Sequence, residues 1–191
     1  MRLARVASVT CSRTAPNPVL FEVGFPIRFS RGLKLLVPLL LLAYGLGSGE
    51  QSSGNWLASA GCVVLLLGSV AVHEFGHVLI VRRLGLTVNG VTLTAFGGLT
   101  DYEGPQRSPL AQGLIAFAGP CASALLAVVL LAVRLSVGGN DVDGGLASVL
   151  TFGVGTNALI TVVNLLPFPT LDGGQIVRSL WRGLSRGREH A

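Results

Sequence analysis

The pentapeptide His73-Glu74-Phe-Gly-His77 has residue types and a spacing that could bind a metal ion and use it. Since a helix turns about 100° per residue, His73 and His77 lie one turn apart on one face, with Glu74 beside them. Two imidazoles at this spacing can bind one Zn²⁺, and the carboxylate between them can accept a proton from the water that the ion activates. The pattern predicts hydrolysis, with two histidine ligands and Glu74 as general base.

The apolar run around this motif supports that interpretation. It begins at Trp56, ends before Arg82 and is long enough to cross a bilayer. A charged side chain within such a span costs about 2.5–3.5 kcal/mol, so an acidic residue between two histidines indicates function. The alternative is a structural role, in which His73, Glu74 and His77 only form hydrogen bonds with a neighbouring helix.

A third ligand must come from elsewhere in the chain. A catalytic zinc site uses three protein ligands and an open position for water, and two histidines with one carboxylate are a standard set. No ligand follows His77 at short spacing, and His190 is the only other histidine. Because Glu74 is assigned to the base, Asp172 is the best remaining candidate. The alternative for Asp172, which precedes Gly173-Gly174, is a turn or helix-capping role.

The composition indicates a membrane protein. Half of the 191 residues are hydrophobic, 12% are charged, and the mean hydropathy is +0.66. Ordinary soluble domains have about 25% charged residues, so this chain is poor in charge and unusually apolar for a soluble domain. The cysteines Cys11, Cys62 and Cys121 are widely spaced, so neither a disulfide framework nor a thiolate zinc site is indicated.

The expected fold is a polytopic α-helical membrane protein with four transmembrane helices and a small β-sheet on the cytoplasmic side. Apolar runs predict spans at about 33–48, 56–81, 110–134 and 146–167. Residues 20–184 are predicted to form one domain, between a flexible tail at 1–19, without a cleavable signal peptide, and a second tail at 185–191. Residues 175–184 have the pattern of a short amphipathic helix.

Two segments are predicted to form strands. Residues 86–99 are typical of a β-hairpin, because Asn89-Gly90 favours a tight turn and β-branched residues flank it. The stretch Phe21–Ser30 alternates apolar with polar or small residues, and Pro26 would confine this strand to a sheet edge. For Gly97-Gly98, the functional interpretation is bare backbone that another chain can approach, and the alternative is loop flexibility.

The distribution of charge predicts the orientation. With four spans, 13 of the 14 basic residues fall on one side, and only Arg134 falls on the other. Since basic residues mark the cytoplasmic side, both termini are predicted to be cytoplasmic. Spans two and four then run in the same direction and bring Asp172 to the depth of the two histidines. Because topology explains the arginines, the pI near 9.9 does not indicate a nucleic-acid partner.

With these motifs in place, the chain resembles the site-2 protease family of intramembrane zinc metalloproteases. The resemblance is carried by His73–His77 in one span and by Asn164-Leu-Leu-Pro-Phe-Pro-Thr-Leu-Asp-Gly-Gly174 at the end of a later one, with Phe96-Gly97-Gly98 and Ala118-Gly119-Pro120 between them. It implies cleavage of membrane-anchored proteins within or near the bilayer, one Zn²⁺ per chain, and Asp172 as third ligand. It also implies that the strand before the first span joins the hairpin in one sheet.

The sequence departs from this family pattern in places. Ser123 stands where such proteins often have an asparagine after Gly-Pro, and Gln112 stands where a glutamate is common. No PDZ or CBS domain and no further span after Gly174 are recognisable, so a near-minimal core is expected.

Substrate binding is predicted at two places. The hairpin edge near Leu86–Leu93 could receive an extended substrate by strand addition, with Gly97 and Gly98 allowing close approach. Asn164 could donate a hydrogen bond to the substrate or to the developing oxyanion, and the alternative is a polar tie between helices.

Two other functions stay open at this point. A catalytically inactive relative would bind membrane proteins without cutting them. A zinc transporter would need polar ligands along several helices, and spans one and three are nearly bare of them. The expected partners are a membrane-anchored substrate and the lipid of a bacterial plasma membrane, and the sequence indicates no particular oligomeric state.

Overall fold

The structure, a computed structural model, describes residues 19–22, 24–47, 53–94, 97–104, 108–137 and 144–188. Its elements in chain order are β1 (Val19–Glu22), β2 (Pro26–Phe29), α1 (Arg31–Gly47), α2 (Ser53–Arg83), β3 (Thr87–Thr94), β4 (Gly97–Glu103), α3 (Pro109–Ser136), α4 (Gly144–Leu165) and α5 (Asp172–Arg188). Residues 1–18 of the predicted tail, Phe96 and His190 lie outside the described residues. The amphipathic helix α5 continues past the predicted domain boundary at residue 184.

Three helices are long and apolar enough to cross a membrane, over Trp56–Arg83, Pro109–Ser136 and Gly145–Leu165. Their outer faces expose many leucine and valine side chains, which lipid rather than water would cover. These helices make the chain an integral membrane protein. The helix α1 is shorter, at 17 residues, so the fourth predicted span stays a prediction.

Close helix packing surrounds the part of α2 that carries the histidines. A side chain at Gly76 would overlap the backbone carbonyl of Ala118, so glycine lets α3 approach α2 closely. On another face of α2, the Asn157 amide nitrogen of α4 donates to the Ser69 hydroxyl oxygen over 2.8 Å. Both side chains are fully buried, and such bonds between membrane helices contribute about 0.6 to 2 kcal/mol each.

Four strands form one sheet in the order β1-β2-β3-β4. The β1–β2 and β3–β4 pairs are antiparallel, and β2 runs parallel to β3. The expectation that the segment before α1 joins the hairpin is confirmed. The segment forms two strands rather than one, because the chain reverses near Gly24, whose φ is 69°. The edge position predicted for Pro26 is wrong: β2 lies between β1 and β3, and Pro26 is its first residue, a place where proline is tolerated.

The predicted turn at Asn89-Gly90 is also wrong. Both residues lie within β3, where the pairing with β4 is irregular between Val88 and Gly90. A side chain at Gly90 would crowd the Pro26 carbonyl oxygen, so the glycine serves the approach of β2 rather than a reversal. Since β3 has a neighbour on each side, the edge predicted near Leu86–Leu93 for substrate binding is occupied, and β4 is the edge strand at this end of the sheet.

An apolar core joins this sheet to the C-terminal end of α2. Its buried members come from the sheet and the residues next to its strands, from the start of α1, the end of α2 and the start of α3, and they include Leu33, Val81, Val91 and Ile115. The Arg82 guanidinium lies 4.9 Å from the centre of the Phe25 ring, a cation–π contact at the sheet surface. The sheet is therefore fixed beside the turn of α2 that carries the histidines.

Candidate metal centre

Three buried ligand atoms from two distant parts of the chain meet between α2 and α5. The Nε2 atoms of His73 and His77 are 3.3 Å apart. The Asp172 Oδ2 atom lies 3.1 Å from the first of them and 3.4 Å from the second. Zinc bonds of about 2.0–2.1 Å at tetrahedral angles would separate their ligand atoms by about 3.3 Å. The three atoms thus have the spacing that one zinc ion requires.

Hydrogen bonds to α3 orient both imidazole rings. The His77 Nδ1–H donates to the Ile115 carbonyl over 2.8 Å, which leaves Nε2 with its lone pair towards the site. His73 Nδ1 is 3.0 Å from the hydroxyl oxygen of Ser123, and this serine is fully buried. Metal-binding histidines usually have such an outer partner. Ser123, a departure from the family pattern, therefore has a defined contact.

The turn before α5 places Asp172. Side chains at Gly173 and Gly174 would overlap the backbone carbonyls of Leu165 and Phe168, so the chain can fold back on itself only with glycine at both positions. The Asp172 Oδ2 atom then lies 3.1–3.4 Å from both histidine Nε2 atoms, at the position that a third metal ligand would take.

Gly119 of α3 keeps the space in front of the ligand atoms open. A side chain there would overlap the Nε2 atoms of both His77 and His73. The segment Ala118-Gly119-Pro120 is one of the motifs that carry the family resemblance. The structure explains why residue 119 is glycine: the backbone of α3 passes close to the histidine nitrogens at this position.

Glu74 lies against the edge strand β4. It is 4% exposed, and its Oε2 atom accepts a hydrogen bond of 2.7 Å from the Thr100 hydroxyl. A side chain at Gly98 would overlap the Glu74 carboxylate. Two residues of β4, one by a hydrogen bond and one by its lack of a side chain, therefore set the position of the carboxylate.

These groups lie in a cleft of about 460 Å³ that reaches from β4 to the end of α4. Its walls include the glycines Gly97 and Gly98, and Gly97 has a φ of 135° that favours glycine. Asn164 also lines the cleft. Its amide nitrogen donates to the Ile160 carbonyl one turn earlier, over 2.9 Å, so this bond lies within α4 and not between helices.

Sequence reasoning did not identify Thr100, or the contacts of Ser123 and Gly119 with the histidines. Thr100 is 26 residues from Glu74, and Ser123 is 50 residues from His73. No local pattern links residues at such separations. One signal was available in the sequence. Thr100 is two positions after Gly98, so the two residues share one face of a strand, and a hydroxyl on that face could contact whatever Gly98 approaches.

Comparisons with known proteins give a matching family model and several relatives. The family model for Peptidase family M50 matches residues 61–140 and 135–190. Rip3 of Mycobacterium tuberculosis, whose name assigns it to the zinc metalloproteases, is 41% identical over 139 residues, which are 72% of this chain and 35% of Rip3. Zinc metalloprotease MJ0392 of Methanocaldococcus jannaschii is 30% identical over 163 residues, 84% of this chain and 44% of that protein. The chain thus spans less than half the length of these curated relatives.

A solved structure shares the fold. The Site-2 Protease from Methanocaldococcus jannaschii superposes with a TM-score of 0.63 over 87% of this chain and 72% of that one, at 23% sequence identity. At this level of identity, the likeness is one of overall fold.

Proposed function

The chain belongs to peptidase family M50, and we propose that it is an intramembrane zinc endopeptidase that cleaves membrane-anchored proteins. The observation that carries this proposal is the separation of 3.1–3.4 Å among three buried ligand atoms of His73, His77 and Asp172. The buried carboxylate of Glu74 lies in the same cleft. The names of the relatives, which are zinc metalloproteases, support the same activity.

In the proposed mechanism, His73, His77 and Asp172 would hold the zinc ion. When bound, zinc acidifies the attacking water and polarises the scissile carbonyl. Glu74 accepts the proton of that water and later gives it to the leaving amine nitrogen. Thr100 holds one carboxylate oxygen of Glu74 and leaves the other free for proton transfer. The low exposure of Glu74 keeps bulk water from competing for that proton.

The edge strand β4 offers a place for the substrate backbone. A helical substrate hides its carbonyls in its own hydrogen bonds, so the segment to be cut must be extended. Among the described strands, β4 has a neighbour on one side only, and Gly97 and Gly98 lie on the cleft. We infer that the extended segment adds to β4, which carries it past Glu74.

Asn164, at the end of α4, is the proposed polar contact for the substrate on the opposite wall of the cleft. One of its amide hydrogens is used by Ile160, and an amide group carries two. The second hydrogen is therefore the one assigned to the substrate carbonyl.

We further propose that α1 is a fourth span and that both termini are cytoplasmic. Leu35, Leu39 and Leu42 are exposed on one face of α1, as expected for lipid contact. Arg82 and Arg83 occupy the last turn of α2, after the turn that carries His77, and basic residues favour the cytoplasmic side. Residues 20–184 would then form one domain in the plasma membrane of a bacterium.

The alternatives are less well supported. A zinc transporter needs a file of ligands across the membrane, whereas the described residues bring together a single group of three potential metal ligands. A catalytically inactive relative would share the fold but would not cleave membrane-anchored proteins, so its presence would not change the set of membrane-anchored fragments in the cell. The test is to compare such fragments in cells that carry the wild-type chain with those in cells that lack it.

Replacement of Thr100 by valine should slow cleavage by on the order of 10- to 100-fold without loss of zinc, because the carboxylate of Glu74 loses the bond that orients it. Valine keeps the shape of threonine, and serine keeps the hydroxyl. Thr100→Ser should therefore retain most of the activity. Turnover and zinc content of the purified variants measure this, and equal rates for Thr100→Val and wild type would contradict the role.

Replacement of Gly119 by alanine should weaken zinc binding by roughly 10- to 100-fold, because the new methyl group displaces the histidine nitrogens. Gly155 of α4 is a matched control, since a side chain there meets no described atom within 4 Å. Competition with a chelator measures both affinities. Tight zinc binding by Gly119→Ala would show that the space in front of the ligands is not needed.

A further inference from the structure

The amphipathic helix α5 exposes a continuous apolar stripe that the peptidase site does not use. Val177, Leu180, Trp181 and Leu184 follow the i, i+3, i+4, i+7 spacing of one helix face. They are 52%, 62%, 73% and 69% exposed. Exposed side chains of this size in one row require a covering partner.

The stripe continues onto a surface that already faces lipid. The groove beside it, of about 400 Å³, lies between α5 and the first turns of α3. On α3, Leu110, Leu114 and Phe117 form the other wall of the groove and are themselves exposed. Because α3 is a helix of membrane-spanning length, its outer face is lipid-facing. The apolar stripe of α5 is therefore an extension of the lipid-facing surface.

The charges on α5 fit the same partner. After Asp172 the helix carries no acidic residue and four arginines. Arg178 and Arg182 are exposed, and each donates to an oxygen of the protein, the Pro169 carbonyl and the Gln112 side chain. A helix with an apolar face and basic flanks suits the boundary between acyl chains and anionic headgroups.

We propose that α5 is an interfacial helix whose Val177–Leu184 stripe is embedded in the bilayer, with lipid acyl chains filling the groove between α5 and α3. Such helices bury their apolar face about 5–10 Å into the boundary between headgroups and acyl chains. Since α5 begins at Asp172, contact with the bilayer would help to fix the position of the helix that carries the proposed third metal ligand. The surface proposal does not depend on peptidase activity.

Trp181 is a built-in reporter, because the chain has only two tryptophans, Trp56 and Trp181. In a Trp56→Phe variant reconstituted into vesicles, emission reports on Trp181 alone. Lipids brominated near the carbonyl end of their acyl chains should remove most of this emission, lipids brominated near the methyl end should remove less, and aqueous iodide should remove little. Anionic lipid should increase the quenching by lipids brominated near the carbonyl end, because it attracts the arginines of α5.

A second variant removes the stripe but keeps the protein in the membrane. In the Trp56→Phe chain, Leu180→Glu with Leu184→Glu should lift α5 from the bilayer, so that Trp181 loses its quenching by brominated lipid and becomes open to iodide. The apolar helices α2, α3 and α4 still hold the chain in the vesicle.

Two results would overturn the proposal. One is iodide quenching without brominated-lipid quenching in the Trp56→Phe chain, which would place Trp181 in water. The other is protection of Trp181 that appears only as the ratio of protein to lipid rises, which would make a second copy of the chain the partner of the stripe.

Discussion

Replacement of Glu74 by glutamine should abolish cleavage of a membrane-anchored substrate while zinc binding persists. Glutamine has nearly the same shape and can still receive the Thr100 hydrogen bond, but it cannot accept a proton from water. Loss of a general base costs roughly 10²–10⁴-fold in rate. Quantification of the cleaved fragment after reconstitution, together with zinc content, measures this effect.

Glu103 provides the matched control for that experiment. It is an exposed carboxylate in the same strand as Thr100, so Glu103→Gln makes the same chemical change away from the ligands. This variant should cleave at the wild-type rate. Undiminished cleavage by Glu74→Gln would reject the base assignment, and zinc loss in that variant would show that Glu74 is a ligand instead.

Replacement of Asp172 by alanine should remove zinc from most chains. The variant keeps two ligands of three, and it also loses the negative charge that offsets the charge of the ion. Activity should fall with the zinc content, since an empty site supplies no activated water. Metal analysis of the purified protein after dialysis measures the loss.

Asp101 is the comparison for Asp172. It is an exposed aspartate of β4, outside the residues that line the cleft. Asp101→Ala should retain zinc and activity. If the two alanine variants bind zinc equally well, Asp172 is a turn residue, as the sequence alone left open.

Local periodicity predicted the parts of the site that lie on one helix. His73, Glu74 and His77 need only a helical turn to share a face, and the apolar run around them predicts that helix. Asp172 is 99 residues from His73, and its candidacy depended on the ligand set of zinc and on the topology of the spans. The ligand preference of zinc and the alternating direction of the spans do not depend on how the side chains pack in detail.

The errors arose where tertiary contacts outweigh local preference. Asn89-Gly90 has the sequence of a tight turn, but in β3 the glycine accommodates the Pro26 backbone of β2. Pro26 suits a sheet edge, but as the first residue of β2 it is tolerated inside the sheet. In both cases a parallel strand from a distant segment decided the outcome, and no local pattern encodes that pairing.

In the proposed site, two imidazoles of α2 and one carboxylate of α5 share a single zinc ion. X-ray absorption at the zinc edge of the purified protein measures the ligands directly. We expect four light ligands at about 2.0–2.1 Å, two of them with the outer-shell scattering of imidazole, and one imidazole fewer in His77→Ala. A sulfur ligand at about 2.3 Å, or a spectrum that His77→Ala leaves unchanged, would contradict the claim.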